Sequence, residues 1–263
     1  MSEPRHNGGR AVLWRILLVA RQTLTIACRL RLALLLGLAG AGLVAASWEL
    51  QAFNFGQIEV KFLADFGLGA IGLFGALLAI LATTHLFFAE TSHGAAPMVL
   101  ARPVRRWEYV CGIHGGVSAL LAGFVALLSA VLAVVIVGRE GAGAGGRLPV
   151  AVFLQAGAVA WLKLVLIAAM ALFVCSFARS ALFASCASLM LVAVAQLRQF
   201  APEHGAGQWL RAWPDFGVLD AGELLAGGRA AGGPWLAGVT LYCAAYVVLF
   251  DGLSSHVFQH REF

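Results

Sequence analysis

The sequence predicts an all-α integral membrane protein: six transmembrane helices preceded by an amphipathic interfacial helix, with both termini cytoplasmic. Three observations predict it. Hydrophobic residues make up 61% of the chain and charged residues 12%, about half the charged share of a soluble domain, and the mean hydropathy is +0.87. Apolar runs of the length a membrane span needs, about twenty residues, recur along the 263 residues. The arginines gather at the ends of those runs, as membrane orientation requires, so the net charge of +5 reads as a topology signal and not as a nucleic-acid patch.

In chain order, Met1 to Gly9 is polar. Residues 10–31 (RAVLWRILLVARQTLTIACRLR) carry Val12, Leu13, Ile16, Leu17, Ala20, Leu24 and Ala27 at helical spacing, punctuated by Arg10, Arg15, Arg21 and Arg29. Such a basic amphipathic helix suits the membrane interface better than a crossing. The predicted spans are 32–50, 65–89, 111–137, 150–178, 181–197 and 234–257, all within one membrane domain covering 1–263. Residues 51–64 form a polar connector, 138–149 a Gly-rich turn, and Arg179-Ser180 a tight turn. The connector 198–233 is too apolar for a solvated linker. It reads either as two short helices re-entering the membrane around Pro214 or as an interfacial loop with an aromatic belt.

Six spans place both termini on one side. With the termini inside, the inner segments hold eleven Lys and Arg residues and the outer connectors six, a bias that puts the termini in the cytoplasm. The stretch 90–110 then becomes a cytoplasmic loop. Within it Arg102, Arg105 and Arg106 cluster around Pro103, followed by Trp107 and Tyr109, aromatic residues suited to a membrane–water boundary.

Catalytic signals are weak. Gly67, Gly69 and Gly72 spell a GxGxxG, but inside an apolar span, where glycine serves close helix packing and not dinucleotide binding. Gly112 and Gly116 form a GxxxG packing signal. The Gly-rich 141–146 turn lacks the GK[ST] of a phosphate-binding loop. His256 and His260 are two potential ligands without a third, so no metal site is expected. His85 reads as a packing histidine. Cys28, Cys111, Cys175, Cys186 and Cys243 contain no CxxC and read as small apolar residues. No nucleophile–base set or carboxylate pair converges on one depth.

Lys163 is the exception. A lysine at the centre of a span costs about 2.5–3.5 kcal/mol on insertion scales. It either snorkels from a tilted helix or serves a translocation pathway with a carboxylate partner, for which Asp65 and Asp251 are the candidates.

The order of these features resembles a known family. Glu90, then Leu100, Ala101, Arg102, Pro103, Val104, Arg106, Trp107, Glu108, Tyr109 and Gly112, follow the pattern E…G(T)…lLsRPvsRweyvlGK. Residues 64–75 (ADFGLGAIGLFG) are similar to kDfGLaaislfG, Trp213 to Phe216 stand at a PNF-like position, and the chain closes on Arg261-Glu262-Phe263 like FrRReF. These are features of the permease subunits of type-2 ATP-binding-cassette exporters, including the group used in nitrous-oxide reductase maturation. His114 replaces a usual lysine, and Ala95-Ala96-Pro97 a threonine-containing turn.

The resemblance implies a permease of the bacterial inner membrane, non-catalytic, with ATP and magnesium bound by a separate ATPase chain. It also implies a second permease copy, a homodimer in preference to a heterodimer. It makes 90–110 the ATPase-coupling loop, with Glu90, Leu100, Arg102, Pro103, Arg105, Arg106, Trp107, Glu108 and Tyr109 as its contact residues and Lys163 as the candidate pathway residue. Charge complementarity from Arg102, Arg105, Arg106 and Glu108, with an anchor of Leu100, Pro103, Trp107 and Tyr109, would suit such a contact. The alternative from another class is a non-transport membrane protein, an assembly scaffold or an intramembrane hydrolase.

Overall fold

A computed structural model of the chain describes residues 8–47, 59–92, 106–140, 150–198, 213–220, 222 and 231–259. Seven helices carry most of these residues: α1 (Gly8–Cys28), α2 (Arg31–Ala46), α3 (Glu59–Ser92), α4 (Arg106–Glu140), α5 (Val150–Phe177), α6 (Ala181–Leu197) and α7 (Gly233–Gln259). No strand occurs among the described residues.

By length and composition, α3, α4, α5 and α7 are able to cross a membrane, and the α1–α2 pair would add a fifth span if counted as one broken helix bent by 64°. The sequence predicts six spans. The shortfall is one of length, because the 16 residues of α2 and the 17 of α6 rise only about 24–26 Å, less than a hydrocarbon core of about 30 Å. Two boundaries also move. Residues 59–64, assigned by sequence to the polar connector, are the first turns of α3, and residues 106–110 of the expected loop open α4.

The break between α1 and α2 is made by Leu30, whose backbone is extended (φ −67°, ψ 121°). The Arg29 and Leu30 amides still donate back to Ile26 and Ala27 at 3.0 and 3.1 Å, so α1 closes tightly before the chain turns. The apolar positions expected on one stripe of α1 divide in two. Ala27 is buried and Val12, Ile16, Ala20 and Leu24 are partly covered, while Leu13 and Leu17 are exposed.

Helix α5 is the centre of the bundle and packs against α3, α4, α6 and α7. Its sequence is apolar on every side, as a helix enclosed by others must be, and Leu164 and Leu166 to Leu172 are all buried. Small residues let its neighbours approach. A Cβ placed on Gly75 of α3 would sit 2.5 Å from Leu164 Cδ1, and one on Gly67 would sit 2.5 Å from Leu132 Cδ1 of α4. Helix α6 begins immediately after the Arg179-Ser180 turn, where the Ser180 hydroxyl accepts from the Phe183 amide at 3.3 Å, a serine N-cap. In contrast, α7 buries one stripe (Val239, Cys243, Phe250, Ser254) and exposes Leu241, Val248 and Leu249, an apolar outward face suited to lipid.

Candidate functional site

Two regions carry the polar chemistry, one at each end of the bundle. At the end bearing residues 90–110, α1 lies along the start of α4. A Cβ on Gly112 would sit 2.5 Å from Val19 Cγ1, and one on Gly116 would sit 2.7 Å from the Ala20 carbonyl oxygen. The GxxxG of α4 is therefore a docking groove for α1. One turn nearer the loop, Arg15 Nη1 lies 3.7 Å from Glu108 Oε2. Glu108 is fully buried and Tyr109 nearly so, whereas Trp107 is 36% exposed.

This distribution sorts the expected loop residues. Trp107 points outward. Glu108 and Tyr109 face into the fold, where Glu108 holds α1 and is not displayed to a partner. Leu100, Arg102, Pro103 and Arg105 lie outside the described residues. Glu90 and Arg106 are helical, at the ends of α3 and α4 that flank the loop, and their side chains lie outside the description.

Further along α4, His114 Nδ1 lies 3.5 Å from Asp251 Oδ1 of α7, both side chains being largely buried. Neither atom has a hydrogen-bond partner among the described residues. Asp251, a sequence candidate for pairing with Lys163, is thus engaged elsewhere: α7 carries it toward the loop end, opposite the third turn of α4. His85, expected to be packed, is exposed on α3. Its neighbour Thr84 faces inward and shares a 3.1 Å hydrogen bond with Ser185 of α6, so the helix phase turns His85 away from the bundle. His256 is exposed in the last turn of α7, and His260 lies outside the described residues. Among the described residues, no group of three or more His, Cys, Asp or Glu comes together to hold a metal.

The opposite end is closed by part of the 198–233 connector. Residues 213–220 are non-helical, yet Pro214, Phe216 and Leu219 are buried. Non-helical backbone at depth needs internal partners, and it has them. The Asp215 amide donates to Tyr242 Oη at 2.7 Å, the Gly217 amide to Asp215 Oδ1 at 2.9 Å, and the Leu219 amide to the Phe216 carbonyl at 3.1 Å. Arg198 donates to the Trp213 carbonyl, and its Nε lies 4.0 Å from Asp215 Oδ2. Trp213 stacks on Phe250 of α7 with ring centroids 6.5 Å apart. Gln155 of α5 pins the far side, accepting from the Ala231 amide at 2.9 Å and donating to its carbonyl at 3.2 Å. In 213–220 the connector, for which the sequence allowed either re-entrant helices around Pro214 or an interfacial loop, is a strap of turns with Pro214, Phe216 and Leu219 buried.

Beneath the strap lies a cavity of about 880 Å³ between α3, α5 and α6. Lys163 enters it from the middle of α5, with its Nζ 5.4 Å from the centroid of the Phe216 ring. Asp65 of α3 and Asp220 of the strap also line it. Their Oδ1 atoms converge on Gly222, where a Cβ would sit 3.5 and 3.2 Å from them. Asp65 is therefore the sequence-predicted carboxylate that the fold brings to the lysine's cavity. Asp220 and Phe216 were missed because they come from the connector, whose path no periodicity reveals. Gly69 and Gly72, read from sequence as packing glycines, have nothing within 4 Å of a Cβ and face the cavity. In the GxGxxG only Gly67 makes a close helix contact.

An all-helical, multi-pass membrane protein with a charged cavity inside its bundle has the build of a transport component. Residues 20–199 match the family of ABC-2 family transporter proteins. That match spans more than half of the chain, and the chain belongs to the ABC-2 family. It is accordingly a membrane transport component, the permease part of an ATP-binding-cassette transporter. No curated protein matches the chain.

Proposed function

We propose that the chain is the permease subunit of an ATP-driven exporter of the bacterial inner membrane. It works with an ATPase supplied by a separate chain, which binds the ATP and magnesium. In this reading α1 lies in the cytoplasmic interface, α2 to α7 supply the six spans, with the short α2 and α6 matched by local thinning of the bilayer, both termini are cytoplasmic, and two copies form the complex. The family match carries the permease assignment, and the inner excess of arginine supports the orientation. The arrangement of α1 on α4 supports a coupling role for the loop end. A push on residues 90–110 acts on the first turn of α4, and the Gly112/Gly116 groove and the Arg15–Glu108 pair join α1 to that turn. Arg102, Arg105, Arg106 and Trp107 are assigned to the ATPase contact, and Glu108 and Tyr109 to holding the platform beneath it. Lys163 is assigned to the translocation pathway. Membership in the nitrous-oxide-reductase-maturation group belongs to the same proposal and rests on the motif resemblance.

Co-purification tests the assignment. A tagged chain in mild detergent is expected to retain a P-loop ATPase, and a variant with Arg102, Arg105 and Trp107 changed to alanine is expected to lose it while remaining monodisperse. Retention of no ATPase by the folded wild-type chain would return the scaffold or hydrolase alternative.

A further inference from the structure

The cavity between α3, α5 and α6 has an uneven lining. Its charged groups are Lys163, which reaches under the strap from the middle of α5, and Asp65 and Asp220, whose carboxylates converge on Gly222. Apart from Gln196, the rest of the wall is hydrocarbon and glycine, running down α3 from Leu68 through Gly72 and Ala76 to Ile80 and along the facing sides of α5 and α6. From Asp65 to Ile80 the α3 wall is roughly 22 Å long, more than the half-thickness of a hydrocarbon core of about 30 Å. The cavity is not sealed: Gly69, Leu73, Leu189 and Gln196, all lining it, are exposed along its side. Its volume, about 880 Å³, lies in the range of small-molecule sites.

A charge at the middle of a span, as on Lys163, is costly unless it meets charge of the opposite sign. The cavity wall carries both signs. The Lys163 ammonium, held over Phe216, suits a phosphate as a compact point charge. The Asp220 and Asp65 carboxylates, converging on Gly222, suit an ammonium. A purely anionic head would meet two carboxylates, and a purely cationic one would meet the lysine.

We propose that this cavity binds an amphiphile with a zwitterionic ammonium–phosphate head, seated among Lys163, Asp65 and Asp220, and a hydrocarbon tail laid along α3 toward Ile80. The proposal rests on the Lys163 pathway assignment and gives its ligand class. It is tested on the permease alone, so its failure is distinct from failure of the ATPase contact.

The experiment uses the purified chain in nanodiscs containing phosphatidylethanolamine with a diazirine in its tail, with cross-linked peptides read by mass spectrometry. Labelling is expected on α3 residues 68–80 and α6 residues 189–193. Excess unlabelled phosphatidylethanolamine is expected to reduce it about tenfold, corresponding to about 1.4 kcal/mol of preference, while phosphatidylglycerol leaves it in place. Lysophosphatidylethanolamine as a separate competitor distinguishes a single-chain amphiphile from a bilayer lipid, and competition by either supports the head assignment. Gly72→Leu fills open cavity space and is expected to abolish labelling, whereas Gly123→Leu, at an open position outside the cavity, retains it. Lys163→Ala is expected to lose the labelling and Lys163→Arg to keep it. Equal competition by phosphatidylglycerol, labelling that survives Gly72→Leu, or a slot cross-linked to a second copy of the chain in place of lipid would overturn the proposal.

Discussion

Arg15 of α1 and Glu108 of α4 stand 3.7 Å apart across the seam between the two helices, with the carboxylate buried and the guanidinium partly exposed. The pair closes the loop end of a contact that Gly112 and Gly116 make possible. Removing the arginine takes one partner from a buried carboxylate, and because the guanidinium is partly exposed this costs about 1–3 kcal/mol, less than breaking a fully buried pair. Arg15→Ala is therefore expected to lower the thermal midpoint of the detergent-solubilised chain by more than Glu108→Gln does. A double-mutant cycle on the pair is expected to give a coupling of about 0.5–3 kcal/mol. Additive single effects would show that the two side chains do not act together.

The glycines separate into two classes that substitution will distinguish. At Gly116 a Cβ meets the Ala20 backbone oxygen at 2.7 Å, which cannot yield without moving α1. Gly116→Ala is expected to destabilise by about 1–3 kcal/mol through overpacking. At Gly123 a Cβ meets nothing within 4 Å, so Gly123→Ala is expected to be neutral or to stabilise by up to ~1 kcal/mol through helix propensity. Thermal unfolding followed by fluorescence checks both.

His114 and Asp251 form the other polar contact near the loop end, linking α4 to α7 at 3.5 Å. His114→Leu leaves the Asp251 carboxyl without its neighbour and is expected to cost about 1–3 kcal/mol, the penalty of a buried polar group left unsatisfied. The double change His114→Leu with Asp251→Leu is expected to recover most of that, because a buried pair replaced whole by apolar groups is close to neutral. His114→Lys, which restores the residue usual at this position in the family resemblance, is expected to keep stability near that of the wild type. Thermal midpoints of the three variants give the comparison.

Lys163 and Lys61 are the two lysines of the chain. In a Lys61→Arg background, a small water-soluble amine reagent is expected to modify Lys163 through the cavity, with the site read by peptide mass spectrometry. Gly72→Leu is expected to slow that modification. Protection of Lys163 in the unblocked background would mean that the cavity is closed to solvent.

Much of this architecture was legible in the residues. The continuous hydrophobicity of 150–178 announced an enclosed helix, and α5 is the enclosed one. The basic periodicity of 10–31 announced a helix distinct from the run that follows, and Leu30 supplies the break. The GxxxG of 112–116 announced a close approach, though not that its partner would be α1. What stayed hidden depended on tertiary placement. Hydropathy gives depth along a helix but not its rotation, so it misjudged His85 and split the α1 stripe. Loop path is set by contacts such as Asp215 with Tyr242 and Gln155 with Ala231, far apart in sequence, and so Asp220 and Phe216 could not be assigned to Lys163. Glu108 was read as a surface charge because its Arg15 partner lies 93 residues upstream.

Whether the loop end receives a separate ATPase is read by a photo-crosslinking residue placed at Trp107, which is exposed beside the loop. A matched residue at Val248, on the outward apolar face of α7, serves as the control. In native membranes a cross-link is expected from position 107 to a chain carrying a P-loop and none from position 248. A folded, membrane-inserted chain that yields no such product from position 107, or equal yields from both, would contradict the ATPase contact.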